Sequence, residues 1–135
     1  MLKIGITGSR RWENKLKIKN TIFKLKQKYG ENCTIVSGGT GEGVDQFVKK
    51  YCLEFNLDYA EVRPNHFEWS VYCIEPPYMY GKAFRPNFYY ARNTKLIKEI
   101  EILILCVTKD DTSEVMKNLI KQCEKKCKKL LIMIE

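Results

Sequence analysis

Residues 33–55 read CTIVSGGTGEGVDQFVKKYCLEF, and the order of patterns inside them decides the fold. Cys33–Val36 is a short, β-branched apolar run of strand length. Ser37-Gly38-Gly39-Thr40-Gly41-Glu42-Gly43 follows, with four glycines in six positions. Then Val44, Phe47, Val48, Tyr51, Cys52 and Phe55 recur at the i, i+3, i+4, i+7 spacing of one buried helix face. Strand, glycine turn and helix make half of a βαβ unit. A strand that is apolar on both faces belongs in a parallel sheet covered by helices on each side.

The same alternation extends in both directions. Leu2–Thr7 reads as a strand ending at Gly8. Residues 14–29 read as a helix, with Ile18, Ile22, Leu25 and Tyr29 on one stripe, lysines opposite, and Gly30 as its stop. Asp58–Val62 is a third strand. Residues 63–85, rich in proline, aromatic and polar residues, read as a long loop, and loops of this length in small domains often carry function. Residues 87–100 form a helix and Glu101–Val107 a buried strand. Ser113–Lys128 reads as a helix with Met116, Leu119, Ile120, Cys123 and Cys127 in register, and Lys129–Ile134 as a closing strand. The expected fold is α/β: a Rossmann-like three-layer αβα domain spanning 1–135, with a mainly parallel sheet of about five strands.

Composition excludes several classes. A chain of 135 residues suits one domain. At 44% hydrophobic it is not intrinsically disordered. Its longest apolar runs, Ile102–Val107 and Leu130–Ile134, fall far short of the ~20 residues of a membrane helix. Met1-Leu2-Lys3-Ile4-Gly5 enters an apolar segment at once, unlike a secretion signal, so a cytoplasmic protein with reduced thiols is expected. Cys33, Cys52, Cys73, Cys106, Cys123 and Cys127 form no C-x-x-C pair, and His66 is the one histidine. Asp110 and Asp111 are adjacent acids without a supporting ligand pattern. No metal and no cofactor is expected. Residues 1–30 hold nine basic residues and one acid, a net of +8 that equals the formal charge of the whole chain. Most of these are lysines on the first helix, where a solvated face is the simplest reading.

In doubly wound sheets ligands lie beyond the carboxyl ends of the strands. After the first strand stands Thr7-Gly8-Ser9-Arg10-Arg11, a turn whose amides attract an anion and whose Arg10 could fork onto a phosphate. After the second stands the glycine cluster, neither G-x-G-x-x-G nor a Walker A loop. Asp45 falls in the first helical turn, either as helix-end electrostatics or as an acceptor for a ribose or a loop amide. Arg92-Asn93 sits on a helix whose buried stripe passes through Ala91 and Leu96, so Arg92 points inward or onto a solvated face. After the fourth strand, Thr108-Lys109-Asp110-Asp111-Thr112-Ser113-Glu114 is polar, with an N-cap at Thr112 or Ser113. Trp69, Tyr72, Tyr78, Tyr80, Phe84 and Tyr89 could stack on a base or fold back as a core extension.

These residues resemble the YspA-type branch of the SLOG superfamily, which includes the DprA DNA-processing proteins and the LOG phosphoribohydrolases. The resemblance rests on Ile6-Thr7-Gly8-Ser9-Arg10, Ser37-Gly38-Gly39-Thr40-Gly41-Glu42-Gly43-Val44-Asp45, Trp69, Gly81-Lys82-Ala83 and Arg92-Asn93, and covers residues 3 to about 107. It implies a nucleotide or nucleotide-derived ligand at the strand ends, lined by Thr7, Gly8, Ser9 and Arg10 on one side. Gly38, Gly39, Thr40, Gly41, Gly43 and Asp45 line the other, with Trp69, Arg92 and Asn93 facing them. It also implies an association with prokaryotic and phage conflict systems. Two departures stand out. Members usually carry a basic residue where this chain has Glu42. LOG enzymes carry P-G-G-x-G-T-x-x-E after the fourth strand, whereas Thr108–Val115 has no glycine, and Glu114 is adjacent to the position of the acid rather than equivalent to it.

Three functions are compatible with this reading. The leading one is a sensor or sequestering protein for a nucleotide-derived small molecule. The second is a hydrolase of an N-glycosidic or phosphoester bond, with Glu42, Asp45, Arg92 and Glu114 as catalytic candidates. The third, ranked behind them, is a single-stranded DNA binder using the basic first helix. A homodimer fits the resemblance, no membrane partner is expected, and no residue pattern marks an interface.

Overall fold

The computed structural model describes residues 2–39, 42–62, 86–109 and 113–135, with residues 86–89 as backbone alone. Among them the strands are β1 (Leu2–Gly8), β2 (Cys33–Ser37), β3 (Asp58–Glu61), β4 (Ile102–Val107) and β5 (Lys129–Ile134). The helices are α1 (Lys15–Tyr29), α2 (Val44–Glu54), α3 (Pro86–Glu99) and α4 (Glu114–Lys125), with a single 3-10 turn at Gly30–Asn32. The long loop and its aromatics, Trp69 included, lie outside the described residues, as do Thr40, Gly41, Asp110, Asp111 and Thr112.

The five strands form one parallel sheet in the order β3-β2-β1-β4-β5. The chain runs outward from β1 to β3, then crosses back over β1 to β4. Right-handed crossovers place helices on opposite faces when the direction reverses. Two cores result, one on each face of the sheet. Ile4, Ile6, Ile35, Ile104 and Cys106 face Trp12, Ile18 and Ile22 before and within α1, and Val44, Val48 and Cys52 of α2. Val36, Leu103 and Leu105 face Leu96 and Ile97 of α3 and Leu119 and Cys123 of α4. The period-two alternation of β4 thus feeds both cores from one strand. The α/β three-layer architecture expected from the sequence is the one observed.

Two helices end earlier than their apolar periodicity. α2 stops at Glu54 because Asn56 turns left-handed (φ 56°) and the Leu57 amide donates to the Cys52 carbonyl at 2.9 Å. α4 stops at Lys125 because Cys127 does the same (φ 55°), with the Lys128 amide on the Cys123 carbonyl at 3.1 Å. Both are six-to-one closures typical of helix ends. Cys127 is therefore exposed in a turn, not in register with Cys123 on a helix face. The remaining described cysteines, Cys33, Cys52, Cys106 and Cys123, are buried as small hydrophobes. Among the described residues no helix is long and apolar enough to cross a membrane.

Candidate functional site

The strand ends converge where the sheet reverses, between β1 and β4. Thr7 and Gly8 finish β1, and Gly8 stands opposite Cys106 of β4. Ser9 is locked in place there. Its amide donates to the Cys106 carbonyl at 2.9 Å, and its carbonyl accepts from the Val44 amide at 3.2 Å. Its hydroxyl accepts from the Arg11 amide at 3.2 Å and lies 3.5 Å from the Thr108 hydroxyl. The Val44 bond joins the loop after β1 to the first turn of α2. Gly43 makes that approach feasible: its φ is +58°, and a Cβ there would lie 2.3 Å from the Ser9 carbonyl oxygen.

Beneath these loops lies a buried polar network. The Thr7 hydroxyl donates to Asp45 Oδ1 at 2.7 Å. Arg92 Nη1 lies 4.0 Å from Asp45 Oδ2 and donates to the Gly38 carbonyl at 2.9 Å. Arg92 Nε donates to Asn93 Oδ1 at 3.0 Å. Asn93 Nδ2 donates to the Val115 carbonyl and to Asn118 Oδ1, at 3.0 and 3.2 Å. Thr7, Asp45, Arg92 and Asn93 are each at most 5% exposed. The network thus runs from the α2 layer, under the end of β2, into the α3–α4 layer. Gly38 is fitted to it: a Cβ would come within 2.1 Å of Arg92 Nη1. Of the two orientations open to Arg92 in the sequence, the inward one is adopted.

Ser37 is fully buried and its hydroxyl accepts from the Gly39 amide at 3.3 Å. Tyr59 on β3 donates to Glu61 Oε1 at 2.8 Å, and burial pushes its phenol above the ordinary range, with Ser37 opposing and Glu61 adding to the shift. Burial also pushes the Cys106 thiol up to about 12, and the nearby Asp45 carboxylate adds to it. A thiol held protonated in this way is neither nucleophile nor metal ligand at neutral pH.

Around this floor the exposed residues form a rim. Arg10 and Glu42 are exposed, Gly39 is half-buried, and Glu114 is exposed in the first turn of α4. The structure therefore splits the sequence-selected residues into two groups. Thr7, Gly38, Asp45, Arg92 and Asn93 share one network. Gly8, Ser9 and Gly43 form the junction of the two loops, and the exposed Arg10 packs its backbone against Gly43 there. Asn118 escaped the sequence reading because it lies mid-helix, after no strand, and owes its role to the packing of α4 on α3. Trp12 was also missed. It is 2% exposed, and its indole donates to the Asn14 carbonyl at 2.8 Å. Among the described residues, a groove of about 620 Å³ lies elsewhere, on the sheet face beside α3, between Lys3, Val36, Ala60 and Lys95. No protein-family model matches the chain, and no curated protein is similar enough to match it.

Proposed function

We propose that this protein binds a nucleotide or nucleotide-derived small molecule at the carboxyl ends of β1 and β2, as a sensor or a sequestering protein. The observation that supports it is the Ser9–Val44 bond. It brings the loop carrying Arg10 against the amino end of α2, beside the point where the sheet reverses. A helix amino end carries partial positive charge, and an exposed arginine beside it adds a full one. Anions are held at such junctions in open α/β sheets. The resemblance to the YspA-type branch of the SLOG superfamily points to the same ligand class.

The hydrolase reading draws less support, because two of its four candidates, Asp45 and Arg92, are buried and engaged with each other and with Thr7 and Gly38, which leaves only the exposed Glu42 and Glu114 as its acids. A general acid must reach the leaving group. The nucleic-acid reading draws on the lysines of α1, several of which are engaged within the chain. Lys26 donates to the Phe55 carbonyl at 2.6 Å, and the Lys19 ammonium lies 5.9 Å from the Tyr51 ring centroid.

Isothermal titration against a panel of nucleotides and cyclic nucleotides tests the proposal. Binding of at least one member is expected, with affinity reduced about tenfold or more in Arg10→Ala, the usual scale for a charge-assisted contact. Absence of heat across the panel would refute the reading. So would an Arg10→Ala protein that binds as tightly as the parent.

A further inference from the structure

The two edges of the sheet are protected unequally. β3 is four residues long and carries Asp58 and Glu61 at its ends, with Glu61 also paired to Lys49 at 3.4 Å. Short, charged strands are the ordinary defence against edge-to-edge pairing. β5 lacks that defence. From Leu130 to Ile134 it is apolar throughout, and Leu131, Ile132 and Ile134 are 51–53% exposed. The apolar surface continues near the start of α1, where Leu16 is 61% exposed and its neighbour Lys17 reaches the Ile134 carbonyl.

The geometry of β5 selects a partner. The amides of Lys129 and Glu135 donate inward, to the Glu101 and Val107 carbonyls of the neighbouring chain segment. In a parallel ladder the intervening residues turn their backbone groups the other way. The N–H and C=O groups of Leu130, Ile132 and Ile134 therefore point off the edge. An antiparallel partner strand with the same sequence, related by a two-fold axis at Ile132, sets Ile132 against Ile132 and Leu130 against Ile134. Each outward residue then meets an outward residue, so the hydrogen-bond parity is correct. The same register sets Lys129 opposite Glu135, whose Oε2 is held by the Glu13 and Asn14 amides, so opposite charges are brought side by side at both ends of the paired segment. A carbonyl accepts two hydrogen bonds, so the Lys17 contact at Ile134 is compatible with pairing.

We propose that a second copy of this chain docks on β5, pairing antiparallel about Ile132 to give one sheet continuous through both copies. The arrangement is isologous and closes on itself, because each outer edge of the doubled sheet is a guarded β3. Sedimentation velocity over a concentration series, combined with amide hydrogen exchange, tests it. The expected mass is twice that of the chain, with the amides of Leu130, Ile132 and Ile134 gaining protection as the dimer forms. Ile132→Lys sets two ammonium groups together at the axis. It should weaken self-association by at least about tenfold while leaving the thermal midpoint of the monomer unchanged. A monomer at every concentration would overturn the proposal. So would a dimer whose β5 amides exchange freely, a dimer indifferent to Ile132→Lys, or an assembly larger than two.

Discussion

Asp45 sits where a helix dipole, a hydroxyl and a guanidinium meet. At 3% exposure a carboxylate is tolerated only when its oxygens are occupied, and here they face Thr7 and Arg92. Asp45 also stands in the first turn of α2, where negative charge is favourable. Of its two readings in the sequence, helix-end electrostatics agrees with this position, and the donor it meets inside the chain is the Thr7 hydroxyl rather than a loop amide. Arg92 depends on Asp45 in turn. With the carboxylate removed, the guanidinium would keep the Gly38 carbonyl and Asn93 as partners but lose the negative charge of Asp45. Removing one member of a buried pair costs ~3–5 kcal/mol. The 4.0 Å separation is long for such a pair, which argues for the lower end of that range. Asp45→Ala is expected to lose about 3 kcal/mol in urea unfolding, with an unchanged slope. A loss below about 1 kcal/mol would show that Thr7, Asp45 and Arg92 are not coupled in this way.

At the scale of elements, the entry into α1 is fixed from the far end of the chain. Glu135 Oε2 accepts from the amides of Glu13 and Asn14 at 2.6 and 2.7 Å, just before the helix begins. Asn14 Oδ1 then accepts from the Lys17 amide at 3.2 Å, in the usual manner of an N-cap. A carboxylate and an amide side chain together satisfy donors that a helix start leaves unpaired. Glu135→Ala should therefore cost about 1 kcal/mol and speed exchange at the Glu13 and Asn14 amides, while α3 amides are unaffected. Equal acceleration in α3 would instead indicate general loosening. Nothing in the sequence marks Glu135 as a cap, since its partners lie more than a hundred residues away. The strands and helices themselves were legible, because each buries a face and so must show period two or 3.6. Their ends were less so. Asn56 adopts the left-handed turn that asparagine often takes, but Cys127 takes it without such a preference, so the end of α4 left no signal. Residues of the network that end or follow a strand or open a helix, such as Thr7, Gly38 and Asp45, could be picked out by position. Asn118 could not.

Across the whole molecule, charge and buried thiols pull stability in different directions as pH rises. The chain carries +8 at pH 7 and has a sequence pI of about 9.2, so raising pH toward that value lowers its net charge and with it the self-repulsion of the compact state. The buried cysteines act above it. Burial pushes Cys52 and Cys106 up to about 12 from 9.0, and raises Cys33 and Cys123 as well. Below about 9 the folded and unfolded chains both keep these protons, so the thiols add no pH dependence. Between about 9 and about 12 the unfolded chain releases protons that the folded chain retains. The folded state then binds more protons, and stability must fall as pH increases. Tyr59, also raised by burial, acts in the same sense from about 10 upward. The urea midpoint should therefore hold level or rise up to about 9 and decline beyond it. Global charge also moves the absolute curve, but it cancels in the difference between the parent and a Cys52→Ala/Cys106→Ala double variant. Each alanine leaves a small cavity, so the parent is the more stable protein at neutral pH. Its advantage should shrink steadily above about 9, because only the parent carries thiols that resist ionisation when folded. A difference that stays constant through that interval would mean that these two sulfurs reach water before the chain unfolds.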